Sequence, residues 1–435
     1  MSFCNPQDSQ LSTRAQALGE APCSREQPDC DQWGTGSSPV FSLYRRQFTL
    51  GEGKGGFALE LGGRLPSLVI AYESYGHLSP RGDNVILITH ALTGDSHVAS
   101  HGIEDRRPGW WEGMVGPGRP LDTDRYFLIC SNVLGGCQGT TGPGSLNPTT
   151  GAPYATDFPI FTVRDMVRAQ HRFLQALGIR RLHSVIGGSL GGMQALQWAV
   201  TFPGFSRSVI AIGTPGRTSP QSIAFNEVGR QAIMSDPEWE EGRYYPRPGP
   251  RTGLSIARML GMITYQSQLA MERKFGRRPV AASYALGKDP AQGNSPGKQA
   301  LQSSWPWHHR PLPTPFAPTF AVESYLHRQG EKLVQRFDAN SYLYLTRAMD
   351  LFDLGRGYAG YREALAGIRA RSLVIGIDTD ILYPVREQRE LVEAMQEAGV
   401  DVSYQELVSP WGHDAFLIEF DQLGTIIRNF LSQLA

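Results

Sequence analysis

The chain has 435 residues, room for one large domain with an insertion or for two or three small ones. Its 41 Lys+Arg balance 41 Asp+Glu, and a zero net charge argues against a nucleic-acid binder that works by bulk positive charge. Hydrophobic residues at 40% and aromatics at 10% supply a buried core and rule out a wholly disordered chain. Cysteines at 4, 23, 30, 130 and 137 form neither a disulfide framework nor a metal-ligand spacing, so a reducing, cytoplasmic setting and no metal are expected. No apolar run reaches ~18 residues, so no membrane span is expected. The polar N-terminal stretch lacks the apolar segment of a secretory signal.

In chain order, residues 1–40 are rich in Ser, Gln, Gly, Pro and Asp without periodicity and read as a disordered tail. From 41 to 216 short apolar runs alternate with amphipathic segments: strands are expected at 68–72, 85–90, 126–130, 184–187 and 208–212. The first of these fits an edge hairpin strand equally well. A helix is expected near 163–177, stopped by Gly178, and another near 190–201. Residues 217–345 change to mixed helical pattern without clear strands and read as a helical insertion, with 280–318 as a flexible loop on it. Alternation resumes over 346–435, with strands at 372–377 and 402–407 and helices at 386–398 and 416–433. Strands alternating with helices predict an α/β fold, a mostly parallel sheet flanked by helices and roofed by the insertion.

The densest chemical signal is Gly187-Gly188-Ser189-Leu190-Gly191, a G-x-S-x-G match that follows an expected strand and opens an expected helix. Small neighbours let the backbone turn sharply there, and the helix N-terminus favours negative charge developing beside the hydroxyl. A serine hydroxyl needs a base, and in this kind of site the acid and then the histidine follow the serine in the chain. After Ser189 come His308, His309, His327 and His413, and only His413 sits in a turn just past a strand. The acid belongs after the preceding strand, where both Asp378 and Asp380 stand, and each fits a helix cap as well. An oxyanion needs two N–H donors: Leu190, the residue after the nucleophile, and Leu92, in the loop after the strand at 85–90.

Several runs extend this pattern: His90-Ala91-Leu92-Thr93-Gly94-Asp95-Ser96-His97, Gly109-Trp110-Trp111-Glu112, Asn132-Val133-Leu134-Gly135-Gly136-Cys137 and Thr141-Gly142-Pro143. Further on come Phe225-Asn226-Glu227, Asp338-Ala339-Asn340-Ser341-Tyr342 and Gly412-His413-Asp414-Ala415-Phe416-Leu417. In this order they resemble the homoserine O-acyltransferase family of α/β-hydrolase fold, over roughly residues 40–278 and 320–435. The resemblance implies acetyl transfer from acetyl-CoA to the side-chain hydroxyl of L-homoserine, early in methionine synthesis, by a homodimer without metal or redox cofactor. It implies a triad of Ser189, Asp380 and His413. It also places the family's homoserine-binding arginine on Arg258, a substrate-side tyrosine on Tyr265 and a carboxylate beside the base on Asp414. A guanidinium can grip the amino acid's carboxylate and Asp414 its ammonium. The tail, the 280–318 stretch and Leu190, where many relatives carry Met, depart from the family pattern. Relatives of this fold that use succinyl-CoA, and plain esterases or thioesterases, are the alternative readings.

Overall fold

The computed structural model describes residues 44–50, 55–102, 105, 107–280 and 318–434. The expected tail at 1–40 and the expected loop at 280–318, apart from its end residues, lie outside the described residues, and so do His308 and His309. The strands β1 (Arg46–Leu50), β2 (Leu68–Tyr75), β3 (Val85–Thr89), β4 (Phe127–Ser131), β5 (Leu182–Gly188), β6 (Ser206–Ile212), β7 (Arg371–Ile377) and β8 (Val402–Leu407) form one 8-stranded sheet. Their order across it is β1-β2-β4-β3-β5-β6-β7-β8. From β4 onward every pairing is parallel, while β1 and β2 join antiparallel at one edge.

The pattern of burial explains which strands the sequence announces. β3 and β4 are buried at every residue, as parallel strands covered on both faces must be, and they read as unbroken apolar runs. β1 alternates half-buried with exposed and carries Arg46, Gln47 and Thr49, so its pattern does not stand out from loop. The first expected strand is β2, one position in from the edge and antiparallel to both neighbours.

Helix α1 (Val163–Ala176) starts with a reciprocal capping box between Thr162 and Asp165, and the chain leaves it through Gly178 at φ 83°. Helix α2 (Leu190–Thr201) is buried along its first eleven residues, because it is covered on every side. Between β6 and β7 lie α3 (Pro220–Met234), α4 (Arg251–Thr264), α5 (Gln268–Lys274), α6 (Ala321–Val334), α7 (Ala339–Asp350) and α8 (Tyr361–Ala366). α4 packs on both α3 and α6, and α7 packs on α3. The expected boundary between 345 and 346 falls inside α7, and the chain rejoins the sheet only at Arg371. Beyond β7 come α9 (Val385–Glu397) and α10 (Phe420–Ser432). The helix expected at 416–433 is two pieces, a short 3-10 helix over Gly412–Leu417 and then α10, because Glu419 adopts a non-helical ψ of 58° between them.

A buried ionic network fastens the segment after β3 to β2. Glu73, at 0% exposure, receives His97 Nδ1 at 2.9 Å and His101 Nε2 at 3.0 Å, with Arg45 at 3.5 Å. The other nitrogen of His97 faces the Arg107 carbonyl at 2.7 Å, so both ring nitrogens meet acceptors and the ring is an imidazolium. His101 is stacked between Tyr44 and Tyr75, each at 4.3 Å. Burial pushes Glu73 up, but the His101 and His97 hydrogen bonds and the His97 and Arg45 charges outweigh it, leaving the carboxyl below its usual 4.5. Burial pulls His97 down, and the Glu73 hydrogen bond and charge, with the Arg107 carbonyl and Asp105, more than reverse that, leaving it above 6.5. The Glu73 contribution to stability is therefore present above pH 4.5 and lost as pH falls through its lower folded value. The His97 contribution is full below pH 6.5 and lost as pH rises through its higher folded value. Replacing Glu73→Gln removes the buried carboxylate that the His97 imidazolium and Arg45 share and is expected to cost ~3–5 kcal/mol in urea unfolding at pH 6. An unchanged midpoint would show that the network adds nothing.

Candidate active site

Ser189 stands at the turn from β5 into α2 with φ 58° and ψ −125°, a left-handed conformation strained for a residue with a side chain. Its N–H donates to Ile212 O at 2.9 Å and its carbonyl accepts from Met193 N–H at 3.0 Å, which holds the turn in place. The surrounding glycines are required by crowding rather than by dihedral angle. A β-carbon on Gly187 would lie 2.5 Å from Thr89 O, and one on Gly191 2.1 Å from the same oxygen. One on Gly188 would meet the Phe416 ring at 2.6 Å, and one on Gly192 the Thr214 side chain at 2.6 Å. The sequence motif is thus a statement that β3, α2 and the last turn close directly on this residue.

Asp380 lies just beyond β7 and is 5% exposed. Its Oδ1 accepts the N–H groups of Leu382 at 2.8 Å and Tyr383 at 3.0 Å, and its Oδ2 meets His413 Nδ1 at 2.6 Å. A carboxylate holding two N–H donors is an acceptor, so the His413 proton sits on Nδ1 and the lone pair on Nε2. His413 Nε2 is buried and has no hydrogen bond among the described residues, so it is open to a proton from a neighbouring hydroxyl. Gly213, where β6 ends, is the floor under the pair: a β-carbon there would touch His413 Cε1 and Asp380 Oδ2, each at 3.6 Å. Asp378, the alternative acid, is spent elsewhere, accepting the Ser409 N–H at 2.8 Å. Burial disfavours the His413 cation, but the Asp380 charge and hydrogen bond, with Asp414 beyond, overcome it and raise the ring above 6.5.

The other residues singled out in the sequence gather around this pair. Leu92, in the loop after β3, and Ser189 line one cavity of about 410 Å³ that includes open solvent. Leu190 is the first residue of α2, where helix geometry leaves the N–H without an intrahelical acceptor. Tyr265 caps α4, lines the same cavity, and holds its ring 5.8 Å from that of His413. Its carbonyl accepts the Asp414 N–H at 3.2 Å, so the end of α4 and the turn bearing His413 are joined. Arg258 Cζ lies 5.6 Å from the Tyr265 ring centre and has no ion pair among the described residues. Burial raises Asp414 above its usual 3.8, against the charges of His413, Arg258 and Lys274, so its anion is under-compensated and would welcome a further cation.

Sequence reasoning passed over several residues here. Lys274 is one, its ammonium 5.1 Å from the Trp411 ring centre and within the field of Asp414. Tyr383, buried and edge-on to His413 at 5.3 Å, is another. Neither has a spacing signal; only folding brings them in. Asn226 and Tyr342 line the cavity and lie inside runs already singled out, with Asn226 held by Asp350 at 2.8 Å. As for metal donors, Glu73, His97 and His101 offer atoms within 4.8 Å of one another. The imidazolium of His97 and the neighbouring Arg45 make that cluster a poor home for a cation.

A strand-to-helix elbow at Ser189 with a His413–Asp380 pair on the same sheet edge defines an enzyme of the alpha/beta hydrolase class, and a sequence profile described as alpha/beta hydrolase fold matches residues 84–420. A homoserine O-acetyltransferase of Symbiobacterium thermophilum is 54% identical over 397 residues, covering 91% of this chain and 97% of the relative. Among solved structures, homoserine O-acetyltransferase from Bacillus anthracis superposes with TM-score 0.76 at 30% identity, over 89% of this chain and 97% of that one. Esterase E22 superposes with TM-score 0.75 at 28% identity, over 89% and 99%. The chain belongs to the homoserine O-acetyltransferase family.

Three outcomes follow from the geometry. Gly191→Ala drives a β-carbon into a backbone oxygen that cannot yield, and is expected to cost ~2–3 kcal/mol or more in denaturant unfolding; a neutral result would mean the elbow is loosely packed. If His413 is the base, kcat/KM falls on the acid side through an apparent pKa above 6.5, because the protonated ring cannot accept a proton. In Asp380→Asn the rate drops by about 10⁴, as the imidazole loses its tautomer and its counter-charge. An acid limb well below 6.5 would remove His413 from that role.

Proposed function

We propose that this chain transfers the acetyl group of acetyl-CoA to the side-chain hydroxyl of L-homoserine through an acyl-enzyme on Ser189, supplying methionine synthesis in the cytoplasm. His413 takes the Ser189 proton as the oxygen attacks the thioester carbonyl. The Leu92 and Leu190 N–H groups receive the oxyanion, each worth about 3–4 kcal/mol. The C–S bond breaks and the thiol of CoA leaves with the proton that His413 returns. Homoserine then enters, His413 takes its hydroxyl proton, and the acetyl group passes to that oxygen as Ser189 is reprotonated. Every bond change is covered by these side chains and the two substrates, so the reading needs no metal or redox group. The helices between β6 and β7 roof the cavity, and their role in this reading is to keep water from the acyl-enzyme. A homodimer built through this insertion is part of the same proposal.

The observation that carries the reading is the position of opposite charges beside the base. Asp414 follows His413 directly, is tied to Tyr265 O, and shares its field with Arg258 stacked on the Tyr265 ring. That arrangement suits a zwitterion with a far-end hydroxyl: its ammonium pairs with Asp414 and its carboxylate with Arg258, and both charges find partners as they lose water. A plain esterase has no need of it. The esterase reading keeps support from the likeness to esterase E22, since one fold hosts both chemistries.

The test is to mix the protein with acetyl-CoA and follow free thiol with and without homoserine, weighing the protein by mass spectrometry. One thiol per site without homoserine, one acetyl group on Ser189, and turnover only when homoserine is added support the proposal. Continuous thiol release that ignores homoserine supports the esterase, and an acyl mass found only with succinyl-CoA supports the succinyl donor. Ser189→Ala is expected to lower kcat by about 10⁴–10⁶. Arg258→Lys is expected to raise KM for homoserine by 10-fold or more, about 1.4 kcal/mol, with acylation by acetyl-CoA unchanged.

A further inference from the structure

A line of buried amides joins the segments that carry Leu92 and Leu190. Gln194, at 0% exposure on α2, donates from Nε2 to His90 O at 3.3 Å and to Leu190 O at 3.2 Å. Its Oε1 accepts from Gln170 Nε2 of α1 at 2.8 Å, and Gln170 Oε1 accepts from the Trp198 indole N–H at 2.8 Å. This line has one polarity. An indole N–H can only donate and a backbone carbonyl can only accept, so both amides are oriented from both ends. The Gln194 amino group must therefore point at the two carbonyls.

Those carbonyls have a particular place. His90 O belongs to the peptide that leads through Ala91 into Leu92, and Leu190 O belongs to the residue whose own N–H is the other proposed donor. The far side of the first loop is also pinned, since neutral His90 donates from Nδ1 to Ala91 O at 2.8 Å and accepts Val133 N–H on Nε2 at 3.1 Å. Thr89 Oγ1 binds Gly191 O at 2.8 Å, but from the strand and not from the loop. The described hydrogen bonds thus give one side chain that grips both donor-bearing segments at once.

We propose that Gln194 is a positioning residue that sets the separation and tilt of the Leu92 and Leu190 N–H groups, so that they converge on the tetrahedral oxyanion. The inference rests on the acyl-enzyme reading above. Gln194 touches no substrate, and its effect appears in the transition state rather than in ground-state binding.

The experiment measures acylation of Ser189 by p-nitrophenyl acetate in single turnover, with active sites counted by a serine-directed fluorophosphonate. In Gln194→Met, close to Gln in shape but without donors, acylation per active site is expected to fall about 10- to 100-fold, as for small misplacements of reacting groups. KM for the ester and the affinity for acetyl-CoA, taken on a Ser189→Ala background, stay near wild type. Should Gln194→Met not fold, Trp198→Phe removes the donor that fixes the polarity of the line and is expected to give a smaller fall with the same signature. Acylation per active site at the wild-type rate in the folded variants, with only thermal stability lowered, would overturn the clamp and leave the acyl-enzyme reading standing. Wild-type protein that never acylates would overturn both.

Discussion

The carboxyl edge of the central strands is packed so closely around Ser189 that four neighbouring positions have no room for a β-carbon. That crowding is the constraint from which the site follows. It forces the turn into a left-handed conformation that costs of order 1–3 kcal/mol, and it repays this through the buried face of α2 and the bonds to Ile212 and Met193. It also sets Thr89 at the end of β3, Thr214 just past β6 and the Phe416 ring against the glycines that flank Ser189. The functional side chains therefore come from segments far apart in the chain, yet each is fixed to within the tolerance of a core.

The charges divide into two sets with different work. Around β2, Glu73 is buried and gathers His97, His101 and Arg45, whose further contacts reach Arg107 O, Asp95 and Gln138. Around His413, compensation is deliberately incomplete: Nε2 has no bond among the described residues, and Asp414 is left with an anion that burial opposes. A closed network specifies structure, whereas an open one has capacity for a ligand and for a moving proton.

Much of this was legible in the sequence because its signals are local. The central strands β3 and β4 are unbroken apolar runs, the elbow is a spacing of small residues, and β8 and α2 begin and end where their patterns do. β1 was not legible, because a half-buried edge strand with Arg46 and Gln47 resembles loop. The residues alone left Asp378 and Asp380 open as the acid, and it was the family resemblance that pointed to Asp380. Both follow the same strand, and only the turn decides that one faces His413 while the other staples Ser409. Gln194 gave no signal, since an amide within an apolar helix means nothing until the carbonyls of another segment arrive above it. The break at Glu419 was hidden because its neighbours keep an amphipathic rhythm across it.

The proposed chemistry needs His413 to hold its proton toward Asp380, 2.6 Å from Nδ1, with Nε2 left to take the Ser189 proton. Proton NMR of the intact protein reads that state directly. The account predicts a strongly deshielded Nδ1 proton from His413 that is absent in Asp380→Ala and shifts when a phosphonate is attached to Ser189. A spectrum with no such proton, or one indifferent to modification of Ser189, would contradict it.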